Sequence, residues 1–311
     1  MGKIAFVFAG QGAQYVGMGK SLYETSAAAR AILDAAEALR PGTLAQCFEG
    51  TPEQLSQTLN TQPCLMAVDV ACAAALMESG VMPQGLAGFS LGEIAALPVS
   101  GLLPFAQAFP LVLRRAELMQ ACAQATPSGM QAVLKLSEEA VEALCAQHGA
   151  YPVNYNCPGQ VVCAMRAEAM EPFTLAVRQA GGRAIPLAVS GGFHSPFMHE
   201  AADGLRAYAQ PLSFALPRIP LYADATCQRY TAQNAAELLG AQVESPVRWT
   251  ALIRAMQADG FTDFIEVGAG QTLTGLIGKI GGAARIHHVE DADTLAQTLR
   301  QYQEGSTCST D

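Results

Sequence analysis

The chain opens with a short apolar run, residues 4–8 (IAFVF), that ends at Gly10. A run of this length stopped by glycine predicts a buried strand. Between residues 20 and 39, Leu22, Ile32 and Leu33 recur in an alanine-rich setting and predict a helix. A second helix is predicted over about 63–79, ahead of the segment GLAGFSLGEIAAL that contains Gly88. This alternation of strand, loop and helix points to an α/β architecture with a mainly parallel sheet.

From residue 130 the pattern changes. MQAVLKL reads as a strand, SEEAVEALCAQHG as a helix, and YPVNYN and VVCAM as two strands; EAMEPFTLAVRQAGG then reads as a helix and RAIPLAV as a strand. The order β-α-β-β-α-β is the ferredoxin-like signature. The expected organisation is a large α/β-hydrolase-like domain with a parallel sheet, built from residues 1–125 and 191–303, and a small ferredoxin-like domain inserted at 126–190. Residues 304–311 are small and polar and predict a disordered tail.

With 311 residues, half of them hydrophobic, the chain can bury a sizeable core. A formal charge of −9 with only 18 Lys and Arg excludes a surface that tracks phosphates, so no nucleic-acid partner is expected. The nine cysteines are odd in number and include no C-x-x-C pair. They read as reduced thiols, which predicts a cytoplasmic protein without a metal site. The N-terminal run lacks the cleavage site of a signal peptide. Charged residues or proline break the alanine-rich stretches before the roughly 20 residues that span a bilayer, so no membrane segment is expected.

Gly88, Phe89, Ser90, Leu91 and Gly92 form G-x-S-x-G between an apolar stretch and a helix-forming one. Glycines on both sides permit a sharp strand-to-helix turn that exposes the serine hydroxyl. The N–H of Leu91, in the first turn of the helix, is a candidate donor to a developing oxyanion. Pro98 predicts a cut or kink in that helix after about two turns. In FVFAGQGAQYVGMG the spacing excludes nucleotide loops, because Tyr15 stands where a third glycine is needed and Met18 where a lysine is. Gly10 and Gly12 around Gln11 suit a backbone N–H brought close to a reacting carbonyl oxygen. Of the five histidines, His194 in VSGGFHSPFM follows two glycines in a loop and is the best candidate base for a serine. Arg114 and Arg115 lie on a helical stretch, and either one turned inward could hold a carboxylate bidentately.

Together these segments resemble the malonyl-CoA:acyl carrier protein transacylases of bacterial fatty acid synthesis over nearly the whole chain. The resemblance rests on FAGQGAQYVGMG, NTQPCLM, GFSLGEIAALPVSGLL, LRRAELMQ, PSGMQAVL, VNYNCPGQVV, VSGGFHSPFM, PVRWT and EVGAGQTLTGLI. It implies Ser90 as nucleophile, His194 as base, Arg115 as the grip on the malonyl carboxylate, and the N–H groups of Gln11 and Leu91 as oxyanion hole. It also implies that a backbone carbonyl, that of Arg248, orients the histidine, and that Gln62 and Asn156 line or support the cleft. Phe89 departs from the histidine usual before the nucleophile. Phe193 resembles the malonyl-selective form of polyketide acyltransferases, in which a bulky ring excludes an α-methyl group. The implied activity is ping-pong transfer from malonyl-CoA to an acyl carrier protein by a monomer that needs no cofactor, malonyl-CoA being a substrate.

Two other readings fit parts of the sequence. A lipase-type serine hydrolase would need Asp259 or Asp263 with His287 or His288. A non-catalytic scaffold in a synthase complex is suggested by Phe89 alone.

Overall fold

A computed structural model describes residues 2–307. Strand β1 (Lys3–Phe8) is followed by the glycine loop and then by helices α1 (Lys20–Thr25) and α2 (Ala27–Leu39). One helix was expected over this stretch, but Ser26 divides it: its backbone is extended and its hydroxyl accepts from the Ala29 N–H, capping α2. Helices α3 (Thr43–Glu49), α4 (Pro52–Ser56) and α5 (Thr58–Glu78) follow, so α5 begins ahead of the predicted Pro63. By length and composition α5 could cross a membrane, contrary to expectation, yet 83% of its apolar window is buried inside the fold. Strand β2 (Gly85–Gly88) then leads through Phe89 and Ser90 into α6 (Leu91–Ser100), and α7 (Phe105–Ala125) follows. Pro98 lies inside α6 and the helix ends at Ser100, capped by Gly101.

The next segment runs β3 (Ser128–Leu134), α8 (Glu138–His148), β4 (Tyr151–Cys157), β5 (Gln160–Arg166), α9 (Met170–Gln179) and β6 (Arg183–Pro186). This is the β-α-β-β-α-β order read from the sequence, and its strands form an antiparallel sheet in the order β4-β5-β3-β6. The chain then adds α10 (His199–Ala209), β7 (Leu221–Tyr222), α11 (Ala235–Glu244), α12 (Trp249–Ala258), β8 (Phe261–Val267), α13 (Thr272–Ile280), β9 (Arg285–Val289) and α14 (Ala292–Thr307). α14 thus reaches Thr307, into the stretch expected to be a disordered tail, while residues 308–311 of that tail lie outside the described residues.

The larger sheet is parallel throughout, in the order β7-β2-β1-β8-β9. Its central strand explains the opening apolar run: Ala5, Phe6, Val7 and Phe8 are all fully buried, as a strand covered on both faces requires. Phe6 and Phe8 pack in the core that holds α5 and α6, whereas Ala5 and Val7 face the core of α12 and α13. Strand order reverses between β1 and β8. The loops after β1, β2 and β8 therefore meet at the carboxyl ends of the strands, where open α/β sheets place their ligands. The smaller sheet is tied to this end. Tyr155 N–H donates to Val247 O at 2.9 Å, and Val247 N–H donates to Val153 O at 2.8 Å.

Candidate active site

Ser90 stands between β2 and α6 at φ +53°, ψ −103°, a conformation rare for a residue with a side chain. Holding it stores about 1–3 kcal/mol of strain. The flanking glycines are required by space. A Cβ on Gly88 would lie 2.0 Å from Glu93 N, and one on Gly92 would lie 2.1 Å from Phe8 O. The turn directs Ser90 Oγ to His194 Nε2 at 2.7 Å, and Arg115 Nη2 donates to the same oxygen at 3.0 Å.

His194 is carried on the loop after β6, also at positive φ (+60°), with its N–H donating to Val243 O at 3.2 Å. Its Nδ1 lies 2.9 Å from Gln242 O and 3.2 Å from Ser245 O. Both neighbours are carbonyl oxygens, which only accept, so the ring proton sits on Nδ1 and Nε2 is left as the acceptor for the serine proton. Burial, reinforced by the nearby Arg115 charge, lowers the imidazole from an ordinary 6.5 to about 4; the two carbonyls work in the opposite direction. The base is therefore neutral at physiological pH. The expectation that the Arg248 carbonyl orients His194 is corrected here. That carbonyl accepts from Leu252 N–H at 2.8 Å in the first turn of α12. The orienting carbonyls come from the end of α11, where a helix leaves its last C=O groups without internal partners.

Arg115, on α7, is 1% exposed and turns inward, while Arg114 pairs with Glu117 on the surface. Its fork is held by neutral groups: Nη1 donates to Gln62 Oε1 at 2.9 Å, and Nε and Nη2 donate to Gln242 Oε1 at 3.3 and 3.0 Å. Burial lowers the guanidinium to about 10, opposed by the charges of Asp224 and Glu93, so it stays protonated at neutral pH. Among the described residues no carboxylate forms an ion pair with it. A buried cation held only by amides and a hydroxyl is set up to receive an anionic group on a ligand.

Leu91 opens α6. The N–H groups of Gly92 and Glu93 turn back to Phe89 O and Ser90 O, whereas that of Leu91 has no protein acceptor among the described residues. Gln11 lies on the loop after β1, which is pressed against the serine turn: a Cβ on Gly10 would approach Phe89 O to 2.7 Å. A small cavity of about 90 Å³ is lined by Gln11, Ser90, Arg115, Phe193 and His194, among others. A larger one of about 230 Å³, lined by Asn156, Val162 and Leu273 among others, shares with it the walls Gln11, Phe89, Asn154 and Leu187. The cleft thus runs between the two sheets. Phe89 stands on both cavities with its ring edge-to-face against Trp249, centroids 5.5 Å apart.

The structure brings Ser90, His194, Arg115, Gln62, Gln11 and Phe193 into one place, with Asn156 farther along the cleft. Sequence reasoning missed Gln242, whose Oε1 anchors Arg115 and whose Nε2 donates to Ser90 O at 2.7 Å. It also missed Asn154, and the buried acids Asp224 and Glu93 behind the serine. In the sequence Gln242 is marked only by its place shortly before Ser245-Pro246, which does not reveal the fold that brings it to Ser90. The acids needed by a lipase-type triad are engaged elsewhere. Asp259 binds Tyr222 and Arg229, and Asp263 is ion-paired with Arg285.

The acyl transferase domain family matches residues 5–304 of the chain. A curated relative, the malonyl CoA-acyl carrier protein transacylase of Bacillus subtilis (strain 168), is 36% identical over 98% of both chains. Among solved structures, the malonyl CoA-acyl carrier protein transacylase of Clostridium perfringens superposes with a TM-score of 0.95 at 32% identity, covering 99% of this chain and 100% of that one. A malonyl-transacylase solved in complex with a type II polyketide acyl-carrier protein gives a TM-score of 0.92 at 33% identity, with 96% and 99% covered.

Proposed function

The chain belongs to the malonyl CoA-acyl carrier protein transacylases of the acyl transferase domain family, and we propose that it works through a malonyl ester on Ser90. The observation that carries this reading is the double contact on Ser90 Oγ, with a neutral imidazole nitrogen at 2.7 Å and a buried guanidinium at 3.0 Å. The first activates the nucleophile, and the second is placed to hold the far carboxylate of a malonyl group while its thioester is attacked.

His194 Nε2 takes the Ser90 proton as Oγ attacks the thioester carbonyl of malonyl-CoA. The oxyanion that forms is met by the N–H groups of Gln11 and Leu91. As the C–S bond breaks, His194 returns the proton to the departing CoA thiolate, leaving malonyl-Ser90. The phosphopantetheine thiol of the acyl carrier protein then enters, gives its proton to His194 and attacks the ester. Ser90 leaves with that proton, so the cycle balances without a cofactor. Arg115 exchanges its contact with the serine for the malonyl carboxylate, and Phe193 closes the small cavity against an α-methyl branch. The reading includes residues 126–190 as an inserted domain that walls the cleft. It further includes a cytoplasmic monomer, with malonyl-CoA and the carrier protein as partners and with neither nucleic acid nor membrane.

The test is intact-protein mass spectrometry after mixing with malonyl-CoA. A malonyl adduct should form on Ser90, be absent from Ser90→Ala, and be discharged by a carrier protein bearing its phosphopantetheine thiol. In competition between malonyl- and acetyl-CoA, Arg115→Ala should lose about 1.5–3 kcal/mol of preference for malonyl, roughly 10–150-fold. An unlabelled Ser90, or an unchanged preference, rules against these roles.

A further inference from the structure

The chemistry above uses the Ser90 side chain, yet its backbone is also gripped on both sides by side chains from far along the sequence. Gln242 Nε2 donates to Ser90 O at 2.7 Å across 152 residues, and the Ser90 N–H donates to Asp224 Oδ2 at 2.8 Å across 134 residues. Because peptide groups are planar, fixing that carbonyl fixes the plane that also carries the Leu91 N–H, and fixing that amide fixes the plane on the other side of the Ser90 Cα. The two bonds together determine the positive φ and the ψ on which the direction of Oγ depends.

Asp224 is itself seated. Its N–H donates to Glu93 Oε2 at 2.5 Å, and its C=O accepts from Arg248 N–H at 2.9 Å. The Tyr230 hydroxyl donates to the other oxygen of Glu93. Asp224, Glu93 and Tyr230 are all buried, while Asp224 Oδ1 has no hydrogen-bond partner among the described residues. Two buried carboxyls, with no cation among the described residues bonded directly to either, are poorly explained by packing, since apolar residues would fill the space more favourably.

We infer that Asp224 is a positioning residue for acyl transfer: its hydrogen bond to the Ser90 amide holds the nucleophile in the strained conformation that aims Oγ at His194 and Arg115. Glu93 acts one step further back, by holding the Asp224 amide. The inference rests on the transfer reading for its chemistry and on Ser90 alone for its geometry.

Two rates test it in the full-length protein: formation of malonyl-Ser90 by rapid quench, and labelling of Ser90 by a small fluorophosphonate, which needs a poised serine but no malonyl chemistry. Asp224→Ala should slow both about 10–100-fold, with the KM for malonyl-CoA changed by less than about threefold. Asp224→Asn keeps an oxygen acceptor for the amide and should restore both rates to within about threefold of native. An Asp224→Ala protein within threefold of native in both rates overturns the assignment, and so does an Asp224→Asn protein as slow as Asp224→Ala. Should Asp224→Ala not fold, the native Ser90 amide proton decides by NMR. A downfield resonance that moves upfield in Asp224→Asn supports the bond, and a random-coil position overturns it. A native protein that gives no malonyl ester, yet shows the phosphonate pattern, would sink the transfer reading and leave the positioning role standing.

Discussion

At the scale of single residues, the decisive quantity is the proton affinity of His194. Serine is a poor nucleophile at neutral pH unless a base receives its proton, and a base already protonated is useless. Burial beside Arg115 drops the imidazole from 6.5 to about 4, while the carbonyls of Gln242 and Ser245 limit the fall by stabilising the Nδ1 proton. The protonated form is thus disfavoured in the free enzyme, and the acid limb of kcat/KM for malonyl-CoA should have its midpoint near pH 4. At pH 5 about nine-tenths of an imidazole of this affinity is neutral, against only a few per cent of an unshifted one. Single-turnover loading measured from pH 4 to pH 7 checks this. A midpoint near 6.5 would mean that His194 is solvated, or that another group accepts the proton.

At the scale of elements, the site is a strand-to-helix turn clamped between neighbours. Gly92, the second residue of α6, lies so close to β1 that any side chain would enter the strand: its Cβ would fall 2.1 Å from Phe8 O. Phe8 is fully buried in the central strand, so it has little room to retreat. Gly92→Ala should therefore cost at least about 2 kcal/mol, the usual range for overpacking being 1–3. That corresponds to a fall in Tm of about 3 °C or more, together with loss of Ser90 loading. A thermal scan showing an unchanged Tm would mean that β1 and α6 are not in contact as described. This element was legible in the sequence because its requirements are local: two glycines, a serine and a helix-forming run lie within a few residues. The histidine's partners were not legible in the same way. Which carbonyls face Nδ1 depends on where α11 ends in space, and the Arg248 carbonyl is taken up by the first turn of α12. Likewise Ser26 divides α1 from α2 by a side-chain cap, which an apolar period does not reveal.

At the scale of the whole molecule, the interior holds an excess of acids whose protons link folding to pH. Asp69, Glu93, Asp224 and Glu266 are buried. Desolvation raises Glu93 and Glu266 to about 7 and holds Asp69 and Asp224 well above the ordinary carboxylate range. An unfolded chain releases these protons near pH 4, whereas the folded chain keeps those of Glu93 and Glu266 to about 7 and holds those of Asp69 and Asp224 well beyond the usual carboxylate range. Over that window the unfolded state binds fewer protons, so stability falls as pH rises. His194 has the opposite sign: its folded affinity lies below its unfolded one, and its contribution is lost as pH falls from 6.5 towards 4. One imidazole set against four carboxyls leaves the acids in control, and Tm should be higher at pH 5.5 than at pH 8. Asp69 is the residue on which to isolate the effect, because it lies outside the transfer chemistry. Its carboxyl faces the Ala269 amide without closing a full hydrogen bond, under the additional charge of Glu266. An asparagine resembles the protonated acid, so Asp69→Asn should leave Tm nearly unchanged at pH 5 and raise it by about 2–4 °C at pH 8, where a neutral amide replaces a carboxyl under pressure to ionise. Calorimetry at the two pH values separates the possibilities. An equal change at both would assign Asp69 a packing role, and a Tm that climbs steadily from pH 5.5 to pH 8 would show that the buried carboxyls do not retain their protons.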